Sequence, residues 1–131
     1  MKYSIMLTIA SLLSLLFLLL HLADDLVRGV SPVGPWILIT LPVAAVLLYG
    51  TLVLTERRSG YIITLIVGIA AVSMPVMHLR GAGTFNIVKP GSFFFLFTLF
   101  ALGVLGGFCM ILSARGLWSP QWGQSRVGTQ P

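Results

Sequence analysis

Charge is scarce in this 131-residue chain: Asp, Glu, Lys and Arg together make up 8% of it, and only three residues are acidic. With 57% hydrophobic residues and a mean hydropathy of +1.03, there is too little polar surface to coat a compact fold in water. A water-soluble globule is excluded, and lipid is the solvent that remains. Cysteine is nearly absent as well. The single Cys109 excludes an internal disulfide, a CxxC redox pair and a thiolate metal cluster. The chain has no GxxxxGK[ST], no HExxH, no Rossmann glycine pattern and no Ser-His-Asp arrangement, and its loops are too short for a soluble catalytic domain. An enzyme is therefore not the expectation. The formal charge of +5 does not indicate nucleic acid either, because the basic residues stand at the ends of apolar runs instead of forming a stripe interleaved with aromatics.

What is present is four windows free of charge, residues 5–22, 36–54, 61–79 and 93–112. Each holds 18 to 20 residues, about 27 to 30 Å as helix, which matches a hydrocarbon core of about 30 Å. Helices pair their own backbone amides in lipid, and these windows lack the alternation of barrel strands. The sequence predicts an all-α integral membrane bundle of four transmembrane helices over residues 1–112, followed by a polar, disordered tail over 113–131. The first window differs from a cleaved signal peptide. It exceeds the usual apolar length, and the bulky His21 lies where a cut after Ala23 needs a small residue, so it is read as an uncleaved helix.

The short turn at 55–60 predicts an antiparallel hairpin of the second and third helices. Pro35 and Trp36 open the second window, Ser92 suits a helix cap, and Trp118 and Trp122 are expected as interface anchors. Lys2, Arg57, Arg58, Arg115 and Arg126 fall on one side, and Arg28, Arg80 and Lys89 on the other. This bias puts both termini in the cytoplasm, in a multi-pass protein of the cell membrane. Gly103 and Gly107 form a GxxxG pair, and Gly68 and Ala71 give the third helix a similar small face. Such faces let helices approach closely within one chain or in a homo- or hetero-oligomer. Pro42 and Pro75 are expected to kink their helices. An offset of 57 aligns His21 with His78 and Gly50 with Gly107. The remaining identities are too few, in so Leu- and Gly-rich a chain, to establish a duplication.

Ionisable groups are missing from the middle of all four windows, which argues against an ion-coupled pump. The one constellation with chemical potential lies at the outer end. His21, Asp24, Asp25 and Arg28 follow at i, i+3, i+4 and i+7, sharing a face if the first helix continues past Leu22, and His78 and Arg80 belong to the same level. His21, Asp24, Asp25 and His78 are the candidate ligands of a divalent ion such as zinc, manganese or iron. His21 and His78 are also candidate haem ligands, with Met74 as a substitute. Either site requires the first and third helices to be neighbours. The plainer alternative is ion pairing, Asp24 with Arg28 and Asp25 with Arg80. With no catalytic motif, the leading expectation is an accessory or structural membrane subunit acting by helix association. A haem- or metal-binding membrane redox protein is the alternative, and a passive path past Pro42 and Pro75 is a third.

Overall fold

The computed structural model describes residues 2–28, 33–80 and 92–119, and the side chains at 2, 3, 28, 33–36, 79, 80 and 92 fall outside that description. All regular structure among the described residues is helical: α1 Lys2–Arg28, α2 Val33–Leu52, α3 Arg58–Arg80 and α4 Ser92–Trp118. Three of these, α1, α3 and α4, are long and apolar enough to cross a membrane, whereas the apolar stretch described in α2, Ile37–Leu52, is shorter. α1, α3 and α4 outrun their uncharged windows because a charged residue ends an apolar run without ending backbone hydrogen bonding, whereas α2 stops at Leu52, inside its window. At 27 residues α1 is about 40 Å long, so it exceeds the hydrocarbon thickness by roughly 10 Å. α4 likewise carries on to Trp118, which takes residues 113–118 of the expected tail into the helix. The tail beyond Ser119, with Trp122, lies outside the described residues, as does the side chain of Trp36.

The distribution of side chains is inside-out relative to a soluble bundle. On α1, Ile5, Met6, Ile9, Leu13 and Leu16 face outward, while Ser4, Ser11, Ser14 and His21 are buried. Water would reverse that preference, and lipid, which is as apolar as leucine, leaves small and polar residues as the better packing partners between helices. The inward residues Ser4, Leu7, Ser11, Ser14, Leu18, His21 and Asp25 recur at alternating intervals of three and four, the seam spacing of closely aligned helices.

Around the bundle the order is α1, α2, α3, α4, with α4 closing against α1. The α3–α4 seam is the most extensive. A Cβ added at Gly106 would lie 2.6 Å from Ala71 Cβ and 2.9 Å from the Gly68 carbonyl, and one at Gly68 would meet the Gly106 carbonyl at 2.9 Å. Any side chain there forces the helices apart. Gly103 packs on the Pro75 ring and Gly107 faces Val72, so the GxxxG pair is engaged with α3 of its own chain. α2 touches α1 and α3 more sparsely. Its link to α3 runs through Glu56 at φ 68°, with Arg57 N–H donating to the Leu54 carbonyl at 2.9 Å, and Gly60 lies against that same carbonyl where a Cβ would not fit. The expected α2–α3 hairpin is present.

Candidate metal centre

Helix α1 continues past Leu22, as the shared face of His21 and Asp25 requires. α3 reaches the same end of the bundle with His78, and α4 begins there with Phe95 and Thr98. α1 and α3 stand diagonally, without the neighbour relation expected for a shared site, and their histidines meet across the bundle axis instead. The ring centroids are 5.5 Å apart at 80°, edge to face. Phe95 closes the third side, 4.8 Å from His21 and 5.8 Å from His78. Because it points at the axis, His21 is only 4% exposed.

One ligand atom from each of His21, Asp25 and His78 lies within 4.8 Å of the others. Asp25 follows His21 by four residues, about 40° around the helix, and its Oδ2 is 4.0 Å from His21 Nε2. Asp24 falls about 60° to the other side, and it is not part of this group. The structure thus brings together three of the four expected ligands. Arg28 and Arg80, the expected ion-pair partners, have side chains outside the described set.

The hydrogen bonds engage Nδ1 of both rings. Thr98 Oγ1 donates its proton to the Phe95 carbonyl at 3.0 Å and lies 3.1 Å from His21 Nδ1, an arrangement suited to Nδ1–H donating to the hydroxyl oxygen. His78 Nδ1 lies 2.9 Å from the Met74 carbonyl, which only accepts, so this ring has its hydrogen on Nδ1. A neutral imidazole with Nδ1–H presents a bare lone pair at Nε2. His21 Nε2 is buried and has no hydrogen-bond partner. One potential ligand atom from each of two imidazoles and one carboxylate therefore gathers here, with His21 buried and Asp25 and His78 half-buried, a donor set that a cation could bridge. Leaving such a nitrogen unsatisfied in an apolar interior costs about 1–3 kcal/mol.

Each ring has its Nδ1 in contact with a hydroxyl or carbonyl oxygen, the kind of contact that orients histidines in metal sites. Thr98 was not among the residues singled out from sequence, and its only signal there is its position in the first two turns after Ser92. Met74 contributes its backbone carbonyl, while its side chain lines a separate apolar hollow. A scan against protein-family models and searches among curated proteins and solved structures returned no match.

Proposed function

We propose that the chain is a metal-binding membrane protein that holds a divalent transition-metal ion between His21, Asp25 and His78. The observation that carries the reading is the pair of Nδ1-anchored histidines facing one carboxylate, with the buried His21 Nε2 lacking any hydrogen-bond partner. Two imidazoles and a carboxylate form a donor set used by zinc and by non-haem iron, and three protein ligands leave further positions for water or a substrate. With metal–ligand bonds of about 2.0–2.2 Å, ligand atoms of a tetrahedral site are roughly 3.3 Å apart. The group spans up to 4.8 Å, so an ion would draw it inward by about 1 to 1.5 Å. Side-chain rotation at the neighbouring ends of α1 and α3 supplies that movement.

A haem shared by His21 and His78 draws less support. The two rings touch edge to face and Phe95 packs on both, which leaves no slot for a macrocycle. Association through Gly103 and Gly107 also draws less, since both residues pack on α3 of the same chain.

In the topology that accompanies this reading, α2 crosses the bilayer with the other three helices. Its 20 residues give about 30 Å, and the remaining mismatch is taken up by local thinning or by flanking residues. Four crossings put both termini on one side, the cytoplasmic side by the count of basic residues. The metal site then lies at the outer end, within reach of external ions. Equilibrium dialysis of detergent-purified protein against zinc, manganese and ferrous iron tests the proposal, together with an absorption spectrum. One bound equivalent of ion without a Soret band supports it; no saturable binding, or a Soret band, overturns it.

A further inference from the structure

Between all four helices lies an apolar hollow of about 60 Å³, walled mainly by Leu18, Val43, Leu47, Val67, Met74 and Leu102. The polar groups at its edge are already engaged: Ser14 with Cys109 at 3.6 Å, and the Thr64 hydroxyl with the Gly60 carbonyl at 2.9 Å. Nothing is left there to hold a water molecule, and apolar cavities of this kind stay dry.

The hollow cannot disappear by collapse of its far wall. Gly68, Ala71 and Gly106 hold α3 and α4 at backbone contact there, and a Cβ added at Gly68 would meet the Gly106 carbonyl at 2.9 Å. α2, which packs more sparsely on its neighbours, leaves the opposite side thinly covered. Val43 on α2 and Ala70 on α3 belong to the wall and are also exposed on the outside of the bundle, so one layer of side chains separates the hollow from the bilayer. An apolar solute is enriched on that side, in the hydrocarbon.

Size selects the occupant. An apolar cavity of about 150 Å³ accepts benzene, with its six heavy atoms, so a space of about 60 Å³ has room for roughly two. A lipid chain, a headgroup or a macrocycle is far too large, and a diatomic gas fits. The position is also informative. Leu18 precedes His21 by three residues and Met74 precedes His78 by four, so the hollow begins about 4.5 to 6 Å along the helices from the two rings.

We propose that this hollow binds one molecule of dioxygen, drawn sideways from the bilayer and held about one helical turn from the metal centre. The choice of dioxygen rests on the metal reading given above, because an iron ion with open positions beside two imidazoles and a carboxylate is a site that takes this molecule. The hollow itself stands on its walls and volume alone.

Methyl NMR of the full chain in detergent, under xenon pressure and then under dioxygen, tests the proposal. Xenon should shift the methyl signals of Leu47 and Leu102 saturably, as one site, while those of Leu99 and Leu112, equally buried but outside the wall, stay in place. Dioxygen, which is paramagnetic, should relax the Leu47 and Leu102 methyls about threefold or more faster than the Leu99 methyls. Val67→Phe fills the hollow from α3 and should remove the saturable xenon response, and Leu18→Phe, which fills it from α1, should do the same and guards against a local defect in α3. Val46→Phe, on the lipid-facing side of α2, should leave the response intact. The His21→Ala, His78→Ala protein should also keep it, so the hollow and the metal centre can fail separately. Absence of a saturable xenon shift, equal relaxation of wall and non-wall leucines by dioxygen, or indifference to both filling variants would overturn the proposal.

Discussion

The two ends of the bundle both bury polar side chains and use them differently. Near the α2–α3 turn, Ser11 closes on Thr51, Thr64 on the Gly60 carbonyl and Thr55 on the Thr51 carbonyl. At the other end, His21 and His78 each use Nδ1 for anchoring, and both rings stand in one group of potential ligands with Asp25. Buried polarity alone therefore does not mark a ligand site in lipid, since hydroxyl groups serve as ordinary glue between helices. What distinguishes the histidine end is a buried ring nitrogen, His21 Nε2, that has no hydrogen-bond partner and stands 4.0 Å from the Asp25 carboxylate. Ser113, fully buried without a partner, does not break the comparison, because a single hydroxyl can rotate toward a carbonyl of its own helix and an anchored ring cannot turn its Nε2 away.

Substitutions at the two ends should separate these roles, and the largest effect belongs to the histidines. His21→Ala combined with His78→Ala is expected to abolish saturable metal binding in equilibrium dialysis, while the protein still elutes as folded in size-exclusion chromatography. Retained binding would mean that the ligands lie elsewhere. Asp25→Asn keeps the volume and removes the charge. It should weaken ion binding by on the order of 100-fold, the upper end of what a contact in the second layer of a metal site is worth, because the proposal makes this oxygen a direct ligand. Asp24→Asn should change affinity by much less, and equal effects of the two would show that the ligand assignment on α1 is off by one residue.

A smaller change tests the anchoring. Thr98→Val preserves shape and deletes the acceptor for His21 Nδ1–H, so metal affinity measured by competitive titration should fall roughly 10- to 100-fold with the fold intact. Ser11→Ala at the opposite end should cost only about 0.6 kcal/mol in a detergent-unfolding titration, the average for a hydrogen bond between membrane helices. It should not alter metal affinity, and a matching loss there would erase the distinction between the two ends.

Much of this architecture could be read from residue order, because charged residues bracket the apolar windows and a helix is the only open-chain way to satisfy an amide in lipid. The α2–α3 hairpin follows from its short turn, and the small faces at Gly68, Ala71 and Gly103 are visible as spacing. Gly106, which makes the closest crossing, is hidden by standing between the two members of the GxxxG pair. The buried seam of α1 was harder to see. In water its face would be the apolar one, but here both faces are apolar and only the sparse serines mark the inside. His21 and His78 are legible as candidates, yet their meeting is a property of the bundle: two diagonal helices reach across an axis that no pairwise adjacency rule describes. Choosing Asp25 over Asp24 depends on a difference of about 100° around α1, which acquires meaning only once the position of α3 is known. Thr98 is marked in the sequence only by its place in the first turns after Ser92, since its role arises from where those turns of α4 fall beside His21.

X-ray absorption at the metal edge of the zinc-loaded, detergent-purified protein tests the central claim most directly. Two imidazole nitrogens and one carboxylate oxygen at about 2.0–2.2 Å, with the imidazole signature lost in the His21→Ala, His78→Ala protein, is the expected result. A shell of water oxygens alone, or one unchanged by that double substitution, would contradict it and leave the histidine end as a structural contact between His21 and Asp25.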